Sequence, residues 1–264
     1  MDGQLTFLGT GTSMGVPTLG CACPVCTSSD PHDRRLRPSA MIRWSEPGAR
    51  ERTAVIDTGP DFREQALRTG LTRVDAVLYT HSHADHILGL DDLRPLSFAA
   101  FREGGPIPLY ATPETTAVLE HIFSYTFSPQ ATYPNRARVR LEPVAEHNPI
   151  HGVDFLRVPV LHGEMQIVGY RFGSAAYLTD VSDIPESSFA LLKGLDHLVL
   201  SALRYKPHPS HATVDQALGW ARRIGARQTW LTHIAHELAH EATNRALPAG
   251  VALAYDGLTV PVTL

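Results

Sequence analysis

The segment YTHSHADHILGL, residues 79–90, places three histidines and one aspartate within six consecutive residues. It directly follows the apolar run VDAVLY, which is typical of a buried β-strand. Alternate residues of an extended segment face the same side, so the imidazoles of His81 and His83 can point in one direction. Such a dense group of ligand-type side chains predicts a metal site.

Two more side chains of the segment extend this site. We predict that Asp85 and His86 face away from His81 and His83 as the chain turns into a helix beginning near Ile87. One loop can then serve two metal ions about 3.5 to 4 Å apart, the separation typical of two-metal hydrolytic sites. Mixed imidazole and carboxylate ligands suit zinc, manganese or iron better than calcium or magnesium.

Length and composition predict one domain over residues 1–264. The chain has 264 residues, 43% of them hydrophobic, and no linker, low-complexity tract or repeat divides it. Its formal net charge of −4 disfavours a non-specific nucleic-acid binder, because such proteins carry a clustered basic face. The dense basic patch RRLR, residues 34–37, is interpreted as a solvated loop.

The N-terminal sequence and the cysteines indicate in which cellular compartment we expect the protein. The first residues lack the basic and apolar regions of a signal peptide, and no run of 18 apolar residues occurs, so we expect a cytoplasmic protein without membrane association. The three cysteines cannot all pair and lie together at positions 21, 23 and 26, which argues against a disulfide framework.

Hydrophobic patterning predicts an α/β protein. Runs rich in β-branched residues predict strands at 5–9, 53–57, 76–80, 107–111, 155–162, 167–172, 175–180, 197–203, 228–233 and 251–257. Helical spacing predicts helices at 61–69, 86–99, 113–124, 185–193 and 213–224, the last with Thr213 as its N-cap. This mixture of β-hairpins and single helices favours an α/β sandwich over a doubly wound parallel sheet.

Four candidate ligands share one kind of position. His81, His162, Asp180 and His233 each lie at the carboxyl end of a predicted strand, where a rigid sheet can direct a side chain into a cleft. Asp183 competes with Asp180 for the acidic role. We therefore predict that four strand ends converge on one site.

The motifs resemble those of a known family. THSHADH is similar to the H-x-H-x-D-H signature of the metallo-β-lactamase superfamily, and the later motifs match in order. The resemblance implies an αββα sandwich with a dimetal site of zinc or manganese at one edge. It implies His81, His83 and His162 as ligands of the first ion, Asp85, His86 and His233 as ligands of the second, Asp180 as the bridge, and Asp57 as a support that binds no metal.

The sequence GCACPVC forms a second cluster of metal-ligand type. A C-x-C-x-x-C array supplies three thiolates, and structural zinc normally takes four protein ligands, so we expect a histidine from elsewhere in the fold. The array resembles that of the PhnP-type cyclic phosphodiesterases, which place a histidine three residues after the last catalytic one. The resemblance implies a structural zinc bound by Cys21, Cys23, Cys26 and His236, with residues 15–38 as the zinc-binding loop.

The stretch HPSHATVDQAL offers a proton donor. The same family places a proton-donating histidine just ahead of this helix, and SHATVD matches with His211, while His208 is the alternative. A hydrolase that cleaves a P–O bond gains from protonating the departing oxygen, a role suited to imidazole. The resemblance therefore implies His211 as the general acid, and we count Asp85 as catalytic as well as metal-binding.

Two other patterns carry less weight. HELAH, residues 236–240, satisfies the H-E-x-x-H pattern of zinc proteases, but no histidine follows His240 to serve as the third ligand. LGTGTSMG fits neither dinucleotide nor P-loop spacing, so Gly9, Gly11 and Gly15 are interpreted as permitting a tight turn against a neighbouring strand. No nucleotide-cofactor site is expected.

Together these patterns predict a dimetal phosphodiesterase. We expect it to hydrolyse a small phosphodiester, such as 5-phosphoribosyl 1,2-cyclic phosphate, with water activated between the two ions. One alternative is a tRNA 3′-processing nuclease, which the acidic chain and the 18 residues between His162 and Asp180 disfavour. The other is a non-catalytic metal-binding carrier. The resemblance also implies a homodimer.

Overall fold

Two seven-stranded sheets frame the protein in the computed structural model, which describes residues 1–45 and 48–264. The strands are β1 (Asp2–Gly9), β2 (Ser39–Trp44), β3 (Arg52–Ile56), β4 (Ala76–Leu78), β5 (Ile107–Ala111), β6 (Val139–Pro143), β7 (His147–Ile150), β8 (Val153–His162), β9 (Met165–Phe172), β10 (Ala175–Leu178), β11 (His197–Ser201), β12 (Gln228–Thr232), β13 (Val251–Leu253) and β14 (Thr259–Thr263). The first sheet has the order β14-β1-β2-β3-β4-β5-β6 and the second β13-β12-β11-β10-β9-β8-β7.

Both sheets are mixed. The strands β3 to β6 run parallel to one another, as do β10 to β13, while the remaining pairs are antiparallel. The parallel strand β10 is buried along its whole length, which explains its continuous apolar sequence. The longer strand β8 instead alternates buried and more exposed residues over much of its length.

The helices cover the outer faces of the sheets. They are α1 (Phe62–Arg68), α2 (Ala84–Ile87), α3 (Arg94–Gly104), α4 (Pro113–Ile122), α5 (Ser124–Phe127), α6 (Glu186–Leu191), α7 (Val214–Ile224) and α8 (His240–Ala246). Thr213 and Gln216 form a capping box that begins α7, and Gly225 ends it in the left-handed conformation, with φ of 71°. The predicted N-cap is confirmed.

Three apolar clusters hold the layers together. Phe7 and Ile42 of the first sheet pack with Phe155 and Tyr177 of the second, so one cluster lies between the sheets. A second cluster joins β10 to β12 with α7, and a third joins β3 to β5 with α1, α3 and α4. The layers therefore run helix, sheet, sheet, helix, which confirms the predicted αββα sandwich.

Backbone strain is concentrated where strands end. Asp57, Asp180 and His233 adopt positive φ angles of 61°, 56° and 56°, and His151 is the other non-glycine residue of the described chain that does so. Each such conformation costs about 1–3 kcal/mol and persists only when the surroundings fix it. These three residues follow β3, β10 and β12, so the carboxyl ends of strands from both sheets mark one strained region.

Some predicted boundaries were wrong. The helix expected near Ile87 begins at Ala84, so Asp85 and His86 already lie in a helical turn. The helix expected at 86–99 is broken into α2, a 3₁₀ turn at Leu90–Leu93 and α3, because Pro95 starts a new helix more readily than it continues one. The strands β2, β6, β7 and β14 and the helices α5 and α8 were not predicted, although β14 (TVPVT) does alternate buried and exposed residues.

The glycine-rich N-terminal turn lies against residues 35–37, which precede β2, and not against a neighbouring strand as predicted. A Cβ atom on Gly9 would lie 1.9 Å from the carbonyl oxygen of Arg37, so only glycine permits this approach. The interpretation of residues 34–37 as a solvated loop was wrong for Arg35, which is 1% exposed. Its guanidinium is buried because it donates to the carbonyl oxygens of Ala235 (3.1 Å) and Leu238 (2.7 Å) and to Asp33 (3.2 Å).

None of the helices in the described part of the chain is both long and apolar enough to cross a bilayer.

Candidate metal centre

The first group of candidate ligands contains three imidazoles. His81 and His83 come from the loop after β4, and His162 is the last residue of β8. One ring nitrogen of each lies within 4.8 Å of the others. The ring of His162 lies 5.4 Å from that of His81 and 5.0 Å from that of His83, centroid to centroid. The structure therefore brings together the three residues predicted for the first ion.

The second group lies beside the first. Asp85, His86 and His233 place their ligand-type atoms within 4.8 Å of one another, and all three are buried. Asp180 extends one carboxylate oxygen to 3.0 Å from Nε2 of His86 and the other to 3.1 Å from Nε2 of His233. It also groups with His81 of the first set, so its carboxylate lies at the junction of the two groups.

Asp183, the alternative acid, takes no part in this cluster. Its side chain is exposed, and one carboxylate oxygen accepts a hydrogen bond from the backbone N–H of Ile184 at 2.9 Å. Its backbone forms a bridge with Leu161 at the end of β8. Asp180, which is 2% exposed, is therefore the carboxylate that the fold directs into the cluster.

Buried ring nitrogens provide a test of whether metal ions fit. Nε2 of His81 and Nδ1 of His233 are buried and have no polar partner among the described residues. Nε2 of His86 and Nε2 of His233 are buried and face carboxylate oxygens, 3.0 and 3.1 Å from Asp180. A buried polar atom without a partner costs free energy, and an ion bound there would account for several at once. Imidazole nitrogens with adjoining carboxylates form the donor set that divalent transition metals prefer, so the residues fit two such ions.

The opposite edges of these rings are held by hydrogen bonds. Nδ1 of His86 contacts the Asp57 carboxylate at 2.7 Å, and Thr80 donates to Asp57 from its backbone N–H and its hydroxyl, each at 2.8 Å. Nδ1 of His162 donates to the carbonyl oxygen of Ser210 at 2.6 Å. Such contacts fix the tautomer and leave Nε2 free for a metal. Neither Thr80 nor Ser210 carries a sequence signal that could have identified it.

Opposite charges within the cluster shift its pKa values. Burial opposes protonation of His86 and His233, but the carboxylates of Asp180 and Asp85 outweigh it, raising the pKa of His86 well above its usual value and that of His233 to about 9. Burial opposes ionisation of Asp180, yet His233 and His86 hold its pKa well below the usual range. Protons and cations compete for the same nitrogens, so metal binding must release protons.

His211 lies over both groups. Its ring centroid is 4.6 Å from that of His162 and 4.8 Å from that of His233, and Nδ1 is 3.6 Å from an oxygen of Asp180. Burial, followed by the charge of His233, lowers the pKa of His211 to about 3. His208 contacts the His211 ring at 4.9 Å and lies further out. The geometry thus favours His211 over His208 as the group nearest a reacting molecule.

The cysteine array forms a separate cluster. Nδ1 of His236 lies 3.3 Å from the sulfurs of Cys21 and Cys23 and 3.5 Å from that of Cys26. Tetrahedral zinc with ordinary bond lengths separates sulfur and nitrogen ligands by about 3.5 Å. The backbone N–H of Cys26 contributes most to lowering the pKa of the Cys23 thiol to about 6, which favours the thiolate that binds metal. These four residues therefore fit one zinc ion.

The two histidines of HELAH point to different places. His236 faces the cysteines, whereas the ring of His240 packs 4.6 Å from that of His32 and its Nε2 contacts the side-chain amide of Asn244 at 3.0 Å. The helix α8 begins only at His240, so the two residues do not share a helical turn. This geometry excludes the arrangement of a zinc protease.

The cysteine cluster yields a stability prediction. We expect Cys23→Ser to reduce metal content by one zinc per chain and to lower the free energy of unfolding by on the order of 4 kcal/mol, because the loop loses its attachment to His236. Metal analysis and thermal unfolding measure both effects. Ser29→Ala, an exposed change in the same loop, is the control. An unchanged zinc content in Cys23→Ser would remove the assignment.

Asp57 yields a prediction about metal affinity. We expect Asp57→Asn to weaken binding of the second cation by about 10–100-fold, because the Asp57 carboxylate fixes the His86 ring. Titration of metal-stripped protein with Mn²⁺ measures this affinity. Asp215→Asn, an exposed change on α7, should leave affinity unaltered. Equal affinity in wild type and Asp57→Asn would show that Asp57 does not support the site.

A family model and solved structures match the chain. The model described as "Beta-lactamase superfamily domain" matches residues 52–234. A crystal structure of a new diphosphatase from the PhnP family is 53% identical, with 100% of this chain and 99% of that chain covered and a TM-score of 0.92. Zn²⁺-bound PqqB from Methylobacterium extorquens, 21% identical with a TM-score of 0.68 over 97% of this chain and 99% of that chain, shares the fold.

Curated relatives match over part of their length. An octanoyltransferase of Porphyromonas gingivalis is 39% identical over 256 residues, which are 96% of this chain and 50% of that protein. Coenzyme PQQ synthesis protein B of Methylobacterium nodulans is 34% identical over 118 residues, 41% of this chain and 37% of that protein. The chain thus spans half or less of the length of these relatives, and their names describe the longer proteins.

Proposed function

This chain belongs to the beta-lactamase superfamily and is a metal-dependent hydrolase, and from that premise we propose that it hydrolyses a small phosphodiester. The observation that carries the proposal is the convergence of seven ligand-type side chains, whose buried ring nitrogens either face carboxylate oxygens or have no partner among the described residues. A histidine adjoins the cluster at the distance expected of a group that contacts a bound substrate.

The proposed ligands divide between two cations. His81, His83 and His162 would hold one, Asp85, His86 and His233 the other, and Asp180 would contact both. Zinc and manganese are the proposed metals. When bound, such a pair lowers the pKa of water and neutralises charge on phosphoryl oxygens.

His211 has the proposed role of proton donor to the departing oxygen. Its position beside Asp180 and above both imidazole groups places it against any molecule that contacts the cluster. The low pKa of His211 in the substrate-free site means that the negative charge of a bound phosphate must favour its protonated form. Asp85 is proposed to hold metal and to orient water from the same carboxylate.

Two substrate types follow from different observations. The sequence motifs favour a cyclic phosphodiester such as 5-phosphoribosyl 1,2-cyclic phosphate. The 53% identical structure described as a diphosphatase favours a P–O–P linkage within a diphosphate. Both reactions cleave a P–O bond and release an oxygen that gains from protonation, so one arrangement of residues serves either.

The segment between His162 and Asp180 argues against tRNA processing. Residues 163–179 are taken up by β9, β10 and the short turns that flank them, which leaves no arm to reach for a long nucleic acid. With the net charge of −4, this favours a small substrate. Homodimer formation and a cytoplasmic location remain predictions from the sequence.

One experiment tests the function directly. Purified protein is analysed for metals and assayed with Mn²⁺ or Zn²⁺ on bis(p-nitrophenyl) phosphate, 5-phosphoribosyl 1,2-cyclic phosphate, ADP-ribose and precursor tRNA. We expect three metal ions per chain and turnover of one of the small phosphate esters or diphosphates. Fully metallated protein that hydrolyses none of these small substrates would refute the proposal and favour a carrier role.

A further inference from the structure

A cavity adjoins the metal centre on the side of β5 and β8. Its volume is about 350 Å³, and its lining includes His81, Thr112, Arg157 and Gln166. His81, one of the three imidazoles of the first group, lines this cavity, so the cavity directly adjoins the candidate metal centre. A molecule held at the centre by one phosphate can therefore extend into it.

Arg157 is the unusual residue of this cavity. It lies on β8, the strand that ends at His162, and is half-buried with its Nε fully buried. Within residues 1–45 and 48–264, its guanidinium makes no hydrogen bond, and no carboxylate lies within 4.0 Å to form an ion pair. A guanidinium without a carboxylate partner beside a cavity can bind an anionic ligand through its N–H groups.

The nearby carboxylate of Glu114 does not satisfy Arg157. Glu114 is exposed at the start of α4. It lines the same cavity, but among the described residues no hydrogen bond or ion pair within 4.0 Å joins it to Arg157. The N–H donors of the two terminal nitrogens of Arg157 therefore remain available to a ligand, whereas Nε is buried.

The other walls of the cavity also suit an anion. Thr112 is the N-cap of α4, a helix of 10 residues, so the cavity borders the positive end of its dipole. Gln166 at the beginning of β9 adds a carboxamide donor. With the guanidinium of Arg157, these groups supply several N–H donors to the cavity that His81 also lines.

From these contacts we infer that Arg157 binds a second phosphate group of the substrate, separate from the phosphate that is cleaved. The inference rests on the proposed function, and it narrows the substrate to molecules that carry two phosphate groups. The guanidinium fork matches two oxygens of a phosphate, which makes arginine more effective here than lysine.

A matched pair of substrates tests this subsite. Thymidine 5′-(p-nitrophenyl phosphate) has one phosphate, and its 3′-phosphorylated derivative has a second. We expect wild type to show a KM at least about 10-fold lower for the derivative, since hydrogen bonds to a charged group contribute about 1.5–3 kcal/mol. Arg157→Met should erase that advantage while changing kcat/KM for the unphosphorylated substrate by less than about threefold, and Arg157→Lys should retain part of it.

The control is Arg102→Met, which removes an exposed arginine of α3. It should preserve the advantage in full. Equal losses on both substrates in Arg157→Met would show that Arg157 supports the centre and would overturn the subsite, as would a wild type that does not distinguish the pair.

A binding measurement separates this inference from the proposed function. Thymidine 3′,5′-bisphosphate and thymidine 5′-monophosphate are titrated calorimetrically into metal-loaded wild type and Arg157→Met. Tighter binding of the bisphosphate to wild type, lost in Arg157→Met, would support the subsite even if neither p-nitrophenyl ester is hydrolysed. Identical affinities in wild type would refute it, whatever the activity.

Discussion

Replacing Asp180 with alanine is expected to lower kcat/KM by at least about 10³-fold, equivalent to about 4 kcal/mol of transition-state stabilisation. The carboxylate lies 3.0 Å from Nε2 of His86 and 3.1 Å from Nε2 of His233, and it also adjoins His81. Its removal takes away the group proposed to contact both cations and the negative charge that balances them. We expect metal content to fall together with activity.

The measurement combines metal analysis with steady-state kinetics on the best small substrate. Asp183→Asn is the matched control, because it neutralises an acid three residues further along the chain whose side chain is exposed. That variant should keep both metals and nearly full activity. If Asp183→Asn lost metal and Asp180→Ala did not, the assignment of the bridging carboxylate would be wrong.

Replacing His211 with alanine is expected to lower kcat by about 10²–10⁴-fold while both cations stay bound. The His211 ring packs against His162 and His233, but it is not one of the seven proposed ligands. Its removal should therefore eliminate the proton donor for the leaving group and leave the metal ligands in place. Kinetics and metal analysis of one preparation test both statements.

Substrates with different leaving groups can show whether His211 donates a proton or only positions other groups. p-Nitrophenolate departs readily without a proton, whereas the alkoxide of a ribosyl cyclic phosphate needs one, so the loss of kcat should be smaller for bis(p-nitrophenyl) phosphate. His208→Ala, which alters the neighbouring and more distant histidine, should have a much smaller effect. A loss in His211→Ala that does not depend on the leaving group would assign the residue to positioning.

Short-range spacing made much of the candidate site predictable. The residues of HSHADH are close in the chain, so the local backbone alone brings His81, His83, Asp85 and His86 together. The same holds for the three cysteines of GCACPVC. Later residues could be placed because they end apolar strands, and the carboxyl ends of neighbouring parallel strands meet at one edge of a sheet.

Residues that act by long-range contacts could not be found in this way. Thr80 donates to Asp57, which contacts His86, and the carbonyl oxygen of Ser210 accepts from His162, but a threonine after a strand or a carbonyl oxygen in a loop has no distinctive pattern. The sequence predicted Arg35 to be part of a solvated basic loop, but the residue is buried. Its guanidinium donates to carbonyl oxygens of residues 200 or more positions away, which the local sequence does not reveal. Likewise, nothing in the sequence around Arg157 distinguishes it from other strand residues or indicates that it lines a cavity.

The sequence by itself determined the types of residue able to bind metal, because those follow from local spacing, whereas the family and the αββα class followed from the resemblance of its motifs to those of a known family. The resemblance had already named His236 and Asp180. Only the tertiary structure places His236 against the cysteines and Asp180 in the cluster, leaves His240 and Asp183 outside, and sets Arg157 beside a cavity without a partner among the described residues. These outcomes depend on how two sheets pack, and packing sets distances between residues that local periodicity does not relate.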